Sequence, residues 1–155
     1  MATVVTRFFE LIGPDLAIFG EKDYQQLCII RQVVAKEDWP VEIVPAAISR
    51  EADGLAMSSR NMRLLPYERE NAAQIFAVLR SAIAELNPRE TNPKAFENRC
   101  AEALNAVPSI HVEYVSCCDA ATLQQVDEFN TNRPTRVFAA VQCVKVRLID
   151  NLPLF

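Results

Sequence analysis

The sequence predicts an α/β segment, strand–helix–strand, followed by a small α+β domain with two helices and about three mainly antiparallel strands. Three observations predict it. Two short apolar runs, Leu16-Ala17-Ile18-Phe19 and Val41-Glu42-Ile43-Val44, flank a stretch with apolar residues at helical spacing. Pro66 and Pro93 each stand at the start of a second kind of stretch, long and helically patterned. Beyond Ile110 the pattern changes to strand-like runs.

Each element follows in order. Leu16 to Phe19 is a continuous apolar run ended by Gly20, the pattern of a buried parallel strand. Leu27, Ile30 and Val34 then mark a helix from about Lys22 to Val34. Pro40 interrupts, and Val41 to Val44 reads as the second strand. Strand, helix, strand is a crossover unit of a parallel sheet. It is too small to stand as a doubly wound domain, so residues 1–48 are expected to be the end of a larger Rossmann-like sheet. Residues 49–155 are expected to form the second domain. Ser49 to Leu65 reads as a polar connector with a turn at Asp53-Gly54. Pro66 opens a helix whose face carries Ala72, Ile75, Phe76, Leu79, Ile83 and Leu86, ending near Asn87-Pro88. Asn92 is placed to cap a second helix with Pro93 at its first position and Phe96, Cys100, Ala103 and Leu104 along it. Ile110 to Val115 reads as a strand with Ile110, Val112 and Tyr114 on one face. Asp119 to Leu123 is a turn or a helix start. Arg136 to Val141 and Val144 to Ile149 are further strands, the latter with Val144, Val146 and Leu148 opposite Lys145 and Arg147. Leu152 to Phe155 is an apolar tail that either packs back or stays loose.

Composition narrows the class. Of 155 residues, 50% are hydrophobic, enough for a packed core without covalent staples. The net charge of −4 argues against a nucleic-acid partner, which needs a basic face. No apolar run approaches a membrane span, and the N-terminus lacks the pattern of a secretion signal. Five cysteines without regular spacing do not form a disulfide framework, and the adjacent Cys117-Cys118 is a poor half-site for zinc. Buried, reduced thiols in a cytoplasmic protein are expected.

Two short motifs carry the candidate chemistry. The first is Gly20-Glu21-Lys22-Asp23-Tyr24-Gln25-Gln26. It follows the carboxyl end of a predicted parallel strand and opens a helix, where ligands of open α/β sheets sit and free N–H groups attract phosphate. Gly20 lets a ligand approach the backbone. Lys22 is a mobile positive charge for phosphate oxygens. Asp23 can accept from ribose hydroxyls, and Gln26, placed one helical turn past Lys22, both donates and accepts. The spacing of a P-loop is absent. The second motif is Met57-Ser58-Ser59-Arg60-Asn61. Two hydroxyls and a guanidinium make a compact donor cluster suited to charge developing on a transferring phosphorus. Alone, each motif reads as well as a solvated helix start or a polar loop.

Together, in this order, the two motifs resemble the second half of the pantothenate synthetase family, and the resemblance runs from Thr3-Val4-Val5 to Arg147-Leu148-Ile149-Asp150-Asn151. The family is an ATP-dependent ligase joining pantoate to β-alanine. The resemblance implies that Gly20, Glu21, Lys22 and Asp23 contact ATP, with Lys22 on the phosphates, and that Gln26 binds pantoate. It implies that Met57, Ser58, Ser59 and Arg60 belong to a loop, similar to the KMSKS loop of HxGH nucleotidyltransferases, that closes over ATP. Ser49 matches a position where the backbone approaches the adenine. Lys22 and Arg60 become the candidate catalytic residues. The implied chemistry is attack of the pantoate carboxylate on the α-phosphorus of MgATP, then attack of the β-alanine amine on the pantoyl adenylate with release of AMP. Positioning and charge neutralisation carry such a reaction.

Three departures accompany the resemblance. The family's N-terminal HxGH segment is not matched, and the single histidine, His111, falls in a strand-like segment and reads as structural. The family's magnesium contacts fall in that same unmatched half, so no metal ligands are assigned here. The family joins its last strands by a tight turn, typically with glycine, whereas Val141 to Val146 has none, which predicts a wider hairpin or a bulge. The chain is thus expected to be an enzyme portion with little turnover of its own. The alternatives are a non-catalytic nucleotide- or pantoate-binding module, or an interaction piece that docks to a separate N-terminal half. Unpaired strand edges in residues before Val44 predict self-association into a homo-oligomer.

Overall fold

The computed structural model describes residues 2–89 and 91–155. They divide into two compact units, Met1–Ile48 and Ser49–Phe155.

The first unit contains α1 (Ala2–Ile12), β1 (Leu16–Gly20), a 3₁₀ turn (Glu21–Asp23), α2 (Tyr24–Lys36) and β2 (Glu42–Ala46). β1 and β2 pair in parallel, Leu16 opposite Glu42 through Gly20 opposite Ala46. α2 turns Tyr24, Leu27, Cys28 and Ile30 inward. Phe9 of α1 meets the Phe19 ring edge-on at 6.4 Å and the Trp39 ring at 5.5 Å. The strand pair forms as expected, but β1 is not buried: Leu16 and Ile18 are 49% and 65% exposed. Side chains alternate across a strand, so β1 packs Ala17 and Phe19 inward and leaves its other face uncovered. α1 was not legible. Its run of Thr3, Val4, Val5 and Thr6 has poor helix propensity, and none of its residues is buried.

The second unit contains a 3₁₀ turn (Ser59–Arg63), α3 (Pro66–Ala84), α4 (Pro93–Asn105) and three strands, β3 (Ile110–Asp119), β4 (Thr135–Cys143) and β5 (Val146–Pro153). The sheet is antiparallel with β4 in the centre. Two signals placed the helices. Pro66 stands at the first position of α3, where Glu68 accepts from the Leu65 N–H at 2.8 Å. Asn92 accepts from the Ala95 N–H at 2.7 Å and caps α4. The apolar faces of α3 and α4 meet the sheet in one core built on Leu79, Phe96, Cys100, Leu104, Val137 and Val141.

Three local expectations change. β3 bulges: Val112 pairs with Val141 but Tyr114 with Ala140, so Glu113 is the extra residue. The bulge reverses the alternation and turns Tyr114 outward, away from the face of Ile110. The β4–β5 connection is not wide. Cys143 pairs with Val146, leaving Val144-Lys145 as a two-residue turn. Val144 supplies the positive φ, 51°, that glycine would have supplied, and is exposed in the turn rather than facing the core with Val146 and Leu148. The tail packs back: β5 continues through Leu152 and Pro153, the Leu154 N–H donates to Thr135 O at 2.8 Å, and Phe155 meets Phe129 edge-on. His111 lies exposed on β3 opposite Gln142.

Candidate functional site

The candidate residues fall into two groups, one in each unit. In the first unit, Gly20 ends β1 and Glu21, Lys22 and Asp23 form the 3₁₀ turn. Asp23, with φ −93° and ψ 62°, leaves helical geometry before α2 begins at Tyr24. Lys22 and Gln26 therefore stand on two successive elements and, contrary to expectation, do not share one helical turn. Gly20 has φ −69°, which any residue adopts, and a Cβ built there would meet nothing within 4 Å. Neither backbone strain nor packing demands glycine at this position, so what its missing side chain provides is open space at the strand end. Lys22 and Gln26 are partly exposed and Asp23 exposed, within reach of a solvent-borne ligand.

In the second unit the connector is a folded hairpin. The Met57 N–H donates to Ser49 O at 2.9 Å, Arg50 bridges Ala56, and Glu51 N–H donates to Leu55 O. This pairing brings Ser49 and Met57, distant in sequence, side by side. At the tip, Gly54 adopts φ 93° above the Phe76 ring. The hairpin is fixed to the domain at two points. Arg50 reaches Asp150 of β5 with both terminal nitrogens, and Arg69 of α3 reaches Asp53 in the same way. Arg69 beside Asp53 holds that carboxyl below its usual range.

From this base the chain rises into Met57, Ser58, Ser59 and Arg60. The Ser58 hydroxyl oxygen accepts from the Arg60 N–H at 3.2 Å and caps the 3₁₀ turn. Its own O–H remains directed by rotation, so Ser58 can still donate outward. Met57, Ser59 and Arg60 are exposed and Ser58 partly so, while the flanking Ala56 and Asn61 are buried. Rather than a featureless polar loop, the cluster is a hydrogen-bonded crown presenting two hydroxyls and one guanidinium. Chemically, it can donate several charge-assisted hydrogen bonds to an anion such as phosphate. Asn61 carried no role in the sequence reading. Its place between an exposed donor cluster and the buried side of the turn is not visible in residue type or spacing.

The pantoate-beta-alanine ligase family matches residues 1–153. The chain belongs to this family. It is 41% identical over 151 residues to the pantothenate synthetase of Desulfatibacillum aliphaticivorans, covering 97% of this chain and 53% of that protein. It is 44% identical over 152 residues to the pantothenate synthetase of Bacteroides fragilis strain YCH46, covering 96% and 52%. Among solved structures it is similar to a pantothenate synthetase from Thermus thermophilus, with TM-score 0.88 and 38% identity over 99% of this chain and 55% of that one. It is also similar to the pantoate-beta-alanine ligase of Francisella tularensis complexed with beta-gamma ATP and beta-alanine, with TM-score 0.70 and 27% identity over 99% and 49%. The chain spans about half the length of the pantoate-beta-alanine ligases it matches.

Proposed function

We propose that these residues supply part of the active site of an ATP-dependent ligase that condenses pantoate with β-alanine through a pantoyl adenylate. The supporting observation is the crown of Met57, Ser58, Ser59 and Arg60, exposed, ordered and hydrogen-bonded at its base to Ser49, in a chain of the pantoate-beta-alanine ligase family. In this reading Ser49 and Met57 line the adenine side, and Ser58, Ser59 and Arg60 donate to phosphate oxygens. Gly20, Glu21, Lys22 and Asp23 contact the nucleotide, Lys22 on its phosphates and Asp23 on its ribose, while Gln26 binds pantoate. The magnesium ion enters with ATP as part of the substrate. Residues Met1–Ile48 act as the end of a Rossmann-like ATP-binding sheet, a reading supported by the parallel β1–β2 pair joined through α2. Ser49–Phe155 acts as the lid.

Lys22 and Arg60 neutralise the charge that builds on the α-phosphorus as the pantoate carboxylate attacks and pyrophosphate leaves. The amine of β-alanine then displaces AMP from the acyl carbon. With one histidine in the sequence, these residues do not supply the histidine pair of an HxGH site, so the 155 residues form part of the catalytic machinery and turn over poorly by themselves. The test is AMP release from MgATP, pantoate and β-alanine, with and without the N-terminal half of a relative. Release only when that half is added is the expected result. Release by these residues alone overturns the partial-site reading, and silence in both arms favours a binding module without chemistry.

Leu16 and Ile18 on the open face of β1, with Val4, Phe8, Leu11 and Ile12 of α1, leave the first unit broadly apolar on its outside. Self-association through residues before Val44 into a homo-oligomer follows, with docking of a separate N-terminal half as the alternative. A strictly monomeric sedimentation profile at high concentration excludes the homo-oligomer. No helix among the described residues is long and apolar enough to cross a membrane. All five thiols are free, which supports a cytoplasmic setting.

A further inference from the structure

We infer that Asn61 is a positioning residue for the Ser58-Ser59-Arg60 turn, its side-chain amide strapping the turn into the shape that presents those donors. The inference rests on the reading of this turn as part of a nucleotide site. The Asn61 Nδ2 donates to Ala56 O at 3.1 Å in a buried setting. That bond closes a short ring around Met57, Ser58, Ser59 and Arg60, because Ala56 and Asn61 are its buried feet, at 3% and 9% exposure, and the crown between them lies largely in solvent. Inside the ring the Asn61 N–H donates to Ser58 O at 3.0 Å, and beyond it the Leu64 N–H donates to Asn61 O at 3.2 Å. A 3₁₀ turn has poor hydrogen-bond geometry and seldom holds its shape by backbone alone.

The Asn61 Oδ1 is about nine-tenths buried with its residue and has no hydrogen-bond partner among the described residues. Its assignment as oxygen follows from chemistry, since the group facing a carbonyl must be the donor. A buried acceptor without a partner is costly, and an apolar side chain of similar size would avoid that cost. What only the amide supplies at this position is the bond to Ala56 O. β5, the strand packed beside the turn, carries two charged groups, both already engaged: Arg147 with Glu113 and Asp150 with Arg50.

The test uses Asn61→Asp and Asn61→Ala in the full chain, read by amide exchange and by MgATP calorimetry in the presence of the N-terminal half of a relative. A carboxylate cannot donate to Ala56 O, but a protonated carboxyl can, and burial raises a carboxyl's pKa. At neutral pH both variants are expected to show exchange at Met57, Arg60 and Asn61 positions about tenfold faster or more, with β4 amides unchanged, and MgATP affinity about tenfold weaker. On acidification Asn61→Asp, compared with the parent at the same pH, recovers both properties, whereas Asn61→Ala does not. Loss of protection spread equally over β4 overturns the inference, as does wild-type MgATP affinity in Asn61→Ala or an Asn61→Asp defect that ignores pH. If the parent binds no MgATP yet its turn loosens as described, the nucleotide reading falls and the strap stands.

Discussion

Arg50 and Asp150, a hundred residues apart, form a two-pronged ion pair with N–O distances of 2.7 and 2.9 Å. The same Nη1 donates to Gly54 O at 3.0 Å, and the guanidinium lies 4.0 Å from the centre of the Phe76 ring. One side chain thus joins the base of the hairpin, its tip, α3 and the last strand. Removing one partner leaves the other charge poorly solvated, since both side chains are largely buried, Arg50 at 18% and Asp150 at 3% exposure. Asp150→Asn is expected to lower stability by about 3 kcal/mol, and Arg50→Lys by less, because an ammonium keeps the charge but not the fork. Urea titrations followed by circular dichroism check both. An Asp150→Asn midpoint equal to that of the parent would show that the pair contributes nothing net.

Gly54 sits at φ 93°, and a Cβ there would run into the Phe76 ring. Both backbone strain and collision oppose a side chain. Gly54→Ala is expected to cost about 2–3 kcal/mol, and, because the ring is also the platform for Arg50, to loosen the hairpin that carries Met57. Gly54→Ala combined with Phe76→Leu should recover the collision part alone. A thermal melt of the three proteins separates the terms. No destabilisation in Gly54→Ala would mean that the ring moves aside freely.

The elements that were legible in the sequence share one property: their signal is local. Pro66, Asn92 and the helical spacing after each predict α3 and α4 because caps and periodicity act within a few residues. The crown around Ser58 was named but not shaped. Its order comes from Asn61, Arg50 and Asp150, bonds whose partners lie far along the chain or face inward. The bulge at Glu113 and the positive φ at Val144 follow from pairing of β4 with both neighbours. No residue type announces them, so strict strand alternation places Tyr114 and Val144 on the wrong faces.

Val144 is a β-branched residue in the left-handed region, held there by its N–H to Ser109 O at 3.1 Å and by closure of the two-residue turn. It is 47% exposed, so little packing is lost on shortening it. Val144→Gly is expected to stabilise the protein by about 1 kcal/mol, strain relief exceeding the added chain entropy. A rise in melting temperature checks it. A fall would mean that the valine side chain packs more than its exposure suggests.

Asp119 ends β3 and organises the following turn. Its carboxylate accepts from the Thr122 N–H at 2.7 Å, Arg133 Nε at 2.6 Å, Thr122 Oγ1 at 2.9 Å and the Ala121 N–H at 3.0 Å. These donors, the Thr122 backbone first, hold its pKa down at about 2. A depressed folded-state pKa contributes stability that is complete above the unfolded carboxyl's value, about 3.9, and is lost as pH falls through the folded value. Melting temperature is therefore expected to drop between about pH 4 and pH 2, with a shallower drop in Asp119→Asn. Parallel curves for the two proteins over that window would remove Asp119 from the account of acid unfolding.

Lys22 and Arg60 are the candidate charges of the proposed reaction, one partly exposed and one exposed, each on a 3₁₀ turn. Side chains of this kind contribute little to folding, so Lys22→Ala and Arg60→Ala are expected to change stability by less than about 0.5 kcal/mol. Their effect on adenylation is expected to be larger, about a hundredfold loss or more, because donors aimed at developing charge act mainly in the transition state. Arg60→Lys separates charge from geometry: partial activity points to charge alone, and full loss to the bidentate fork. The measurement is AMP formation in the presence of the N-terminal half of a relative, alongside thermal melts of each variant. Unchanged AMP formation in Lys22→Ala would remove that lysine from the phosphate site and shift the assignment to the crown around Arg60.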